Sequence, residues 1–446
     1  MCKGNGIYMI KLPKLFCDGM ILQRDVPVNI WGEADSPVTV SVDMHSATDF
    51  ARDGKFSLKI PPHKAGGPYT MFIECAGEIT KLHDIYYGDV FLAAGQSNMG
   101  MTIAETEQTL DDCDGVIRIF TPDREWDELG MRRPETDDRW VNISMENAHG
   151  ISAAGSHFAV DIANKYGIPV GVISCNQGAS SIRSWISPET VAADPIFGPE
   201  TKWHTDVEIF DVINAPSQQY SERLVKVAPF TVKAVLWYQG ESDADTPIAY
   251  SYKHLFELLV NDWRRLWDDP DLPFITTQIT YHTVEFHSQI WEILREQQLA
   301  AADEGHNIGM IAIGDAGDYG PIHPMEKKVV GKRLARYAMG MLYGEDIVYR
   351  PPVCRSAVLS EGKVILRFDD AGDGLYETKP LEFYLISDDG LIRKTSYELD
   401  GDKVILETQG FDASEVRFCF APDLPVWLYS SVGLVAVPFR IRIIKN

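Results

Sequence analysis

Four short blocks of this 446-residue chain combine residue types suited to acyl-transfer chemistry. The first is Gly95-Gln96-Ser97-Asn98-Met99, directly after the apolar run Val90–Ala94. Such a run reads as a buried parallel strand that delivers a serine to the carboxyl edge of an α/β sheet. A helix starting there leaves backbone N–H groups beside the hydroxyl. A nucleophilic serine needs that exposure and those donors, and Gln96 stands as a supporting neighbour. The alternative is that Ser97 only caps a helix. The second block is Cys175-Asn176-Gln177-Gly178-Ala179-Ser180-Ser181. There Gly178 is the expected N–H donor, because glycine lets a backbone approach a ligand closely. An ordinary strand–helix turn is the rival reading.

The third block is Trp237-Tyr238-Gln239-Gly240-Glu241-Ser242-Asp243. The Gln239 amide can donate to an oxyanion, and Glu241 can orient a neighbour or hold a loop. A buried polar run must be hydrogen-bonded somewhere, so a purely structural role competes. The fourth runs from Asp315 to Pro324 and contains Asp318 and His323. Imidazole suits a base that takes the serine proton and returns it to the leaving group. His282 also follows a strand candidate. His323 has the better case, with Asp315 and Asp318 in its loop and a helix directly after it.

These blocks need strands to position them. Residues 7–85 read as β: Val38–Val42 and Phe56–Ile60 alternate with period two, Tyr69–Glu74 is a further candidate, and Gly32, Asp53-Gly54 and Gly66-Gly67-Pro68 mark turns. A small antiparallel sandwich is expected. From 86 to 345 apolar strand candidates alternate with amphipathic segments: Val170–Cys175, Ala234–Tyr238, Phe274–Ile279 and Ile308–Ile313 are the strands. Tyr250–Trp267 shows i, i+3, i+4 spacing of apolar residues, and Met325–Leu342 reads as a helix. This alternation predicts an α/β fold with a parallel sheet covered by helices on both faces. From 346 to 446 the β pattern returns, at Lys363–Phe368, Leu381–Ile386, Lys403–Leu406 and Val416–Phe420.

The formal charge of −24, from 41 basic and 65 acidic residues, opposes binding to nucleic-acid phosphates. Seven scattered cysteines form no CxxC pair, so neither a disulfide framework nor a zinc site is indicated. No run of about 18 apolar residues predicts a membrane span. No signal-peptide pattern is visible at the N-terminus, and a cytoplasmic location is expected.

Three of the blocks, Gly95–Met99, Trp237–Ser242 and Ile322-His323-Pro324, resemble the sialate O-acetylesterase-like carbohydrate esterases of the SGNH hydrolase superfamily. Asp18–Arg24 and Trp31-Gly32 are similar to that family's N-terminal β region, and Gly433–Arg440 to its closing segment. The resemblance implies a flavodoxin-like core and serine ester hydrolysis of an acetylated carbohydrate, without metal or cofactor. It implies Ser97 as nucleophile and His323 as base. The N–H groups of Ser97 and Gly178, with Gln239 where the wider superfamily has asparagine, would form the oxyanion hole.

Two departures stand out. Relatives commonly place the triad acid two or three residues before the histidine, where this chain has Pro321 and Gly320. Asp318 is the expected substitute; Asp315, Glu241 or a backbone carbonyl are the alternatives. Relatives also usually carry no arginine in the stretch Gly178–Trp185, where this chain has Arg183. A fixed guanidinium can grip a carboxylate with two hydrogen bonds, so Arg183 is a candidate contact to an acidic sugar, with a surface ion pair as the rival. Trp185, Trp203 and Trp237 are candidates for stacking on sugar rings, against core packing. Within esterases, xylan or other plant glycans compete with sialate as substrate. Outside the class, a non-catalytic carbohydrate-binding protein and a metal hydrolase using Asp315, Asp318 and His323 are the rivals.

Overall fold

The computed structural model describes residues 10–122, 138–195, 208–244, 247–282, 290–317 and 322–445. The chain is mixed α/β and divides into two compact units, residues 1–236 with 258–273, and 237–257 with 274–446.

In the first unit, the period-two alternation near the N-terminus forms antiparallel strands. Val38, Val40 and Val42 are buried while Thr39 and Ser41 are only half-buried. Val38–Val42 pairs with His45–Asp49 and with Gly66–Cys75. Strand β1 (Ile21–Gln23) lies parallel to the middle of β2 (Glu78–Gly95). The first part of β2 pairs antiparallel with Gly66–Cys75, and from Asp89 to Gly95 it pairs in parallel. From Tyr87 onward every residue of β2 is buried, as strands covered on both faces require. One continuous strand therefore crosses residues 85 and 86, where the pattern changes in the sequence.

Helix α1 (Ser97–Gly100) follows β2 at once. Then come β3 (Ile117–Phe120), β4 (Trp140–Asn142), α2 (Ala153–Tyr166), β5 (Val170–Asn176) and β6 (Ala234–Tyr238). The strand order is β6–β2–β5–β3–β4, with β5 parallel to both β2 and β3 and β4 antiparallel at the edge. Only the first three residues of β6 belong to this unit. Ser152 caps α2 through the Gly155 N–H at 3.1 Å, and left-handed Gly167 ends it.

Asp89, fully buried at the start of the parallel part of β2, accepts from Gln23 Nε2 at 2.9 Å and from Arg24 Nε and NH2 at 3.0 Å each. A buried carboxylate without such partners costs several kcal/mol (order of magnitude). This clamp gives a physical reason for Gln23-Arg24 in the N-terminal motif.

The second unit holds the start of α3 (Tyr252–Trp267), then β7 (Phe274–Thr277), α4 (Trp291–Glu304), β8 (Ile308–Ile311) and α5 (Lys327–Met341). Strands β7 and β8 pair in parallel. The amphipathic stripe read for α3 buries Leu255, Phe256, Leu259, Val260 and Trp263. After residue 353 an eight-stranded sheet forms, antiparallel except where Val353–Ser360 runs parallel to Phe439–Lys445. Met310 of β8 and Ala312 just beyond it share a core with Val353, Leu366, Phe383, Phe418 and Val426 of that sheet region. The last strand candidate, Val416–Phe420, stops at Phe418, because Cys419 turns left-handed (φ 47°). No helix among the described residues is long and apolar enough to cross a membrane.

Candidate active site

In the first unit, register sets the geometry. Asn176 at the end of β5 is the direct partner of Gly95 at the end of β2, and the Gln177 N–H donates to the Gly95 carbonyl at 3.0 Å. The turns carrying Ser97 and Gly178 therefore leave neighbouring parallel strands at the same level. Gly95 has φ 135°, which an L side chain rarely adopts, so the strand turns sharply there. The Met99 and Gly100 N–H groups close onto the Gln96 carbonyl at 3.0 and 3.1 Å. The N-cap position belongs to Gln96, which makes no side-chain cap. Ser97 is thus the first helical residue and not the cap, which removes the structural rival read from the sequence. It is 7% exposed.

The turn after β5 holds itself together. Ser180 Oγ donates to the Gln177 carbonyl at 2.7 Å and accepts from Trp185 Nε1 at 2.9 Å. Ser184 Oγ donates to the Ser181 carbonyl at 2.7 Å. Asn214 accepts from the Ser181 N–H at 2.5 Å and donates to the Ala179 carbonyl at 3.0 Å. The left-handed residue of the turn is Ala179 (φ 57°). Arg223 reaches Gln177 Oε1 from the helical segment that follows. Neither Asn214 nor Arg223 carried a sequence signal for this site.

Three expected sugar contacts are corrected here. Trp185 is 0% exposed, its indole N–H bound to Ser180 and its carbonyl taken by Trp263 Nε1 at 2.9 Å, so it offers no face to a sugar. Arg183 is 2% exposed and lies in the short 3-10 turn Ile182–Trp185. At that burial it offers no open face to an acidic sugar. Trp237 is likewise buried, with its Nε1 3.2 Å from the Tyr252 hydroxyl. Trp203 lies outside the described residues.

In the second unit, β6 ends in a buried polar turn. Gln239, fully buried, donates through Nε2 to Asp243 at 2.7 Å and accepts at Oε1 from the Tyr252 hydroxyl at 2.8 Å. Burial pushes the Tyr252 phenol well above its usual range, so it stays a donor. Gln298 Nε2 holds the Gln239 carbonyl at 3.0 Å. Gly240 (φ 149°) packs where an added Cβ would stand 2.9 Å from both Leu294 and Gln298, so only glycine fits. Glu241 is buried next to it. The Gln239 amide is hydrogen-bonded at both its nitrogen and its oxygen, and this network orients it.

His323 lies, half-buried, in the bend that precedes α5. The loop leading to it is pinned from a distance. Val426 N–H donates to the Gly314 carbonyl at 2.9 Å, and Tyr281 OH to the Gly317 carbonyl at 2.6 Å. Both Asp315 oxygens face the Arg333 guanidinium, at 2.6 and 2.7 Å. The Asp315 charge also acts on Tyr429, whose phenol is pushed up to about 12, first by burial and then by that charge. Asp315 is thereby a loop anchor, spoken for as an acid to orient His323. Asp318 lies outside the described residues. His282 is buried, its ring 5.2 Å from that of Trp291 and its N–H on the Pro422 carbonyl at 2.8 Å. Among the described residues, no group of three or more His, Cys, Asp or Glu side chains is placed to hold a metal ion.

The structure thus brings Ser97 and Gly178 together on adjacent strands of the first unit. It places Gln239, Glu241 and His323 in the second.

Comparison with known proteins gives a consistent picture. A family profile described as "Carbohydrate esterase, sialic acid-specific acetylesterase" matches residues 87–339, more than half of the chain. A mouse (Mus musculus) sialate O-acetylesterase is 27% identical over 427 residues, covering 78% of this chain and 77% of its own. The human (Homo sapiens) sialate O-acetylesterase is 25% identical over 402 residues, covering 78% and 74%. The crystal structure of a carbohydrate acetylesterase from Xanthomonas citri superposes with a TM-score of 0.84 at 29% identity, covering 97% of this chain and 99% of that one. The chain belongs to the sialic acid-specific acetylesterase family of carbohydrate esterases, and it is a carboxylic ester hydrolase that removes O-acetyl groups from a glycan.

Proposed function

We propose that this esterase works through a serine acyl-enzyme, with Ser97 as nucleophile and His323 as general base. Ser97 Oγ attacks the acetyl carbonyl carbon while His323 takes its proton. The tetrahedral oxyanion is met by the N–H groups of Ser97 and Gly178 and by the Gln239 amide. The intermediate collapses as His323 protonates the departing sugar oxygen, leaving acetyl-Ser97. Water, deprotonated by His323, then releases acetate and restores the hydroxyl.

The observation that carries this reading is the Asn176–Gly95 pairing, which sets the Ser97 and Gly178 turns side by side at the ends of parallel strands. Glu241 and Gln96 support the two turns. Asp318 is assigned to orient the imidazole, since Asp315 is held by Arg333. The parallel pairing of β2, β5 and β3 supports an SGNH-type core over 86–345, with β-rich flanking regions at 7–85 and 346–446. An O-acetylated sialic acid is the first substrate to try, on the family description.

The test is hydrolysis of p-nitrophenyl acetate by the wild type, Ser97→Ala and His323→Ala, followed by a panel of O-acetylated sialic acids and neutral acetylated sugars. Both variants are expected to fold and to lose on the order of 10⁶ in kcat, the scale seen when the serine or histidine of a triad is removed. Wild-type turnover that survives Ser97→Ala would sink the mechanism. Sugar binding without any turnover would shift the protein to a binding role.

A further inference from the structure

Lys327 is the first residue of α5 and is fully buried. Both facts oppose an ammonium. The helix dipole disfavours a cation in the first turn, and burial without compensation costs several kcal/mol (order of magnitude). A methionine would fill similar volume without either cost.

Two of its contacts offset that cost. Lys327 Nζ donates to the Pro324 carbonyl at 2.6 Å. It also stands 5.5 Å from the centroid of the Tyr238 ring, within cation–π range. Pro324 is the neighbour of His323, and Tyr238 is the neighbour of Gln239. The charge of buried Glu241 acts on the same Tyr238 phenol. The Tyr238 hydroxyl has no hydrogen-bond partner among the described residues, so its ring face is the part in use. One ammonium thus ties the bend bearing His323 to the turn bearing Gln239 and Glu241, all within the second unit.

We propose that Lys327 is a positioning residue of the esterase, holding the His323–Pro324 bend in fixed relation to the Gln239–Glu241 turn. The inference rests on the reading of His323 as the base. Displacing a catalytic group by about 1 Å can cost on the order of 10² in rate while substrate binding persists.

The experiment measures kcat and KM on p-nitrophenyl acetate, with Tm by circular dichroism, for Lys327→Met, Lys327→Arg, Tyr238→Leu and His323→Ala. Lys327→Met is expected to lose about 10² in kcat with KM within about twofold and little change in Tm, and Lys327→Arg to recover part of the loss. Tyr238→Leu, which keeps the ammonium but removes the ring, should lose about three- to tenfold in kcat at unchanged KM. A folded Lys327→Met with wild-type kcat overturns the proposal. If that variant does not fold, wild-type kcat in Tyr238→Leu overturns it instead. An active His323→Ala removes the base itself, and the proposal with it. An inactive His323→Ala beside a fully active Lys327→Met removes only the role of Lys327.

Discussion

The turn after β5 and the loop after β8 both leave parallel strands of an esterase, and they are held in different ways. The turn, Gln177 to Trp185, is fastened by its own serines and tryptophan within nine residues, and also by Asn214, Arg223 and Trp263 from farther along the chain. The described start of the loop, residues 314–317, is fastened from elsewhere, by Tyr281, Arg333 and Val426. Local fastening makes a rigid platform, suited to presenting a fixed N–H such as that of Gly178. Remote fastening makes the start of that loop depend on distant parts of its unit. Under the mechanism proposed above, strain or slack arising there would reach a histidine whose proton transfer works over hydrogen-bond distances.

Three substitutions would break or sharpen this contrast. The largest effect is expected from Trp185→Ala, which empties a buried indole site and frees the Ser180 hydroxyl. It should cost about 3–5 kcal/mol in urea unfolding, with kcat per folded molecule falling much less. A variant that keeps its stability would show that the turn is not fastened from within. Next is Asp315→Asn, which weakens the paired contact to Arg333. Because the loop is pinned remotely, kcat should fall by about 10- to 100-fold with KM little changed, measured at a temperature where the variant is fully folded. Unchanged kcat would mean that the His323 bend does not rely on that anchor. The smallest is Ser184→Ala, which removes one hydroxyl donor from the Ser181 carbonyl while the Ser184 N–H remains on it at 3.1 Å. A loss of about 0.5–1.5 kcal/mol is expected, read as a small shift in the urea midpoint. A loss several times larger would make the turn a cooperative unit whose bonds cannot be deleted singly.

The contrast also separates what was legible from what was not. Strands Ala234–Tyr238, Val38–Val42 and Val170–Asn176 were readable to within a residue, because a strand's burial pattern is written in consecutive side chains. The amphipathic stripe of α3 was equally plain. Ser97 and Gly178 were readable as candidates because each follows an apolar run directly. Arg183 and Trp185 were misread as ligand contacts. An arginine and a tryptophan after a glycine turn look the same in sequence whether they face solvent or the interior. Burial is decided by Trp263, Asn214 and Ser217, which arrive from 30 or more residues away. Lys327 went unread for the same reason: its partner Tyr238 is 89 positions earlier in the chain.

By itself, the sequence determined the element types, the strand-end placement of Ser97, Gly178 and Gln239, and the family resemblance. Each of these depends on short-range patterns: periodicity, turn residues and contiguous motifs. Only the tertiary structure decided that β2 runs unbroken across residues 85 and 86, that Asp315 belongs to Arg333, that Trp185 is core, and that a buried lysine sits beside the histidine bend. Those outcomes turn on which distant groups share one low-dielectric space, where a charge or a polar atom must find a partner or forfeit its hydration.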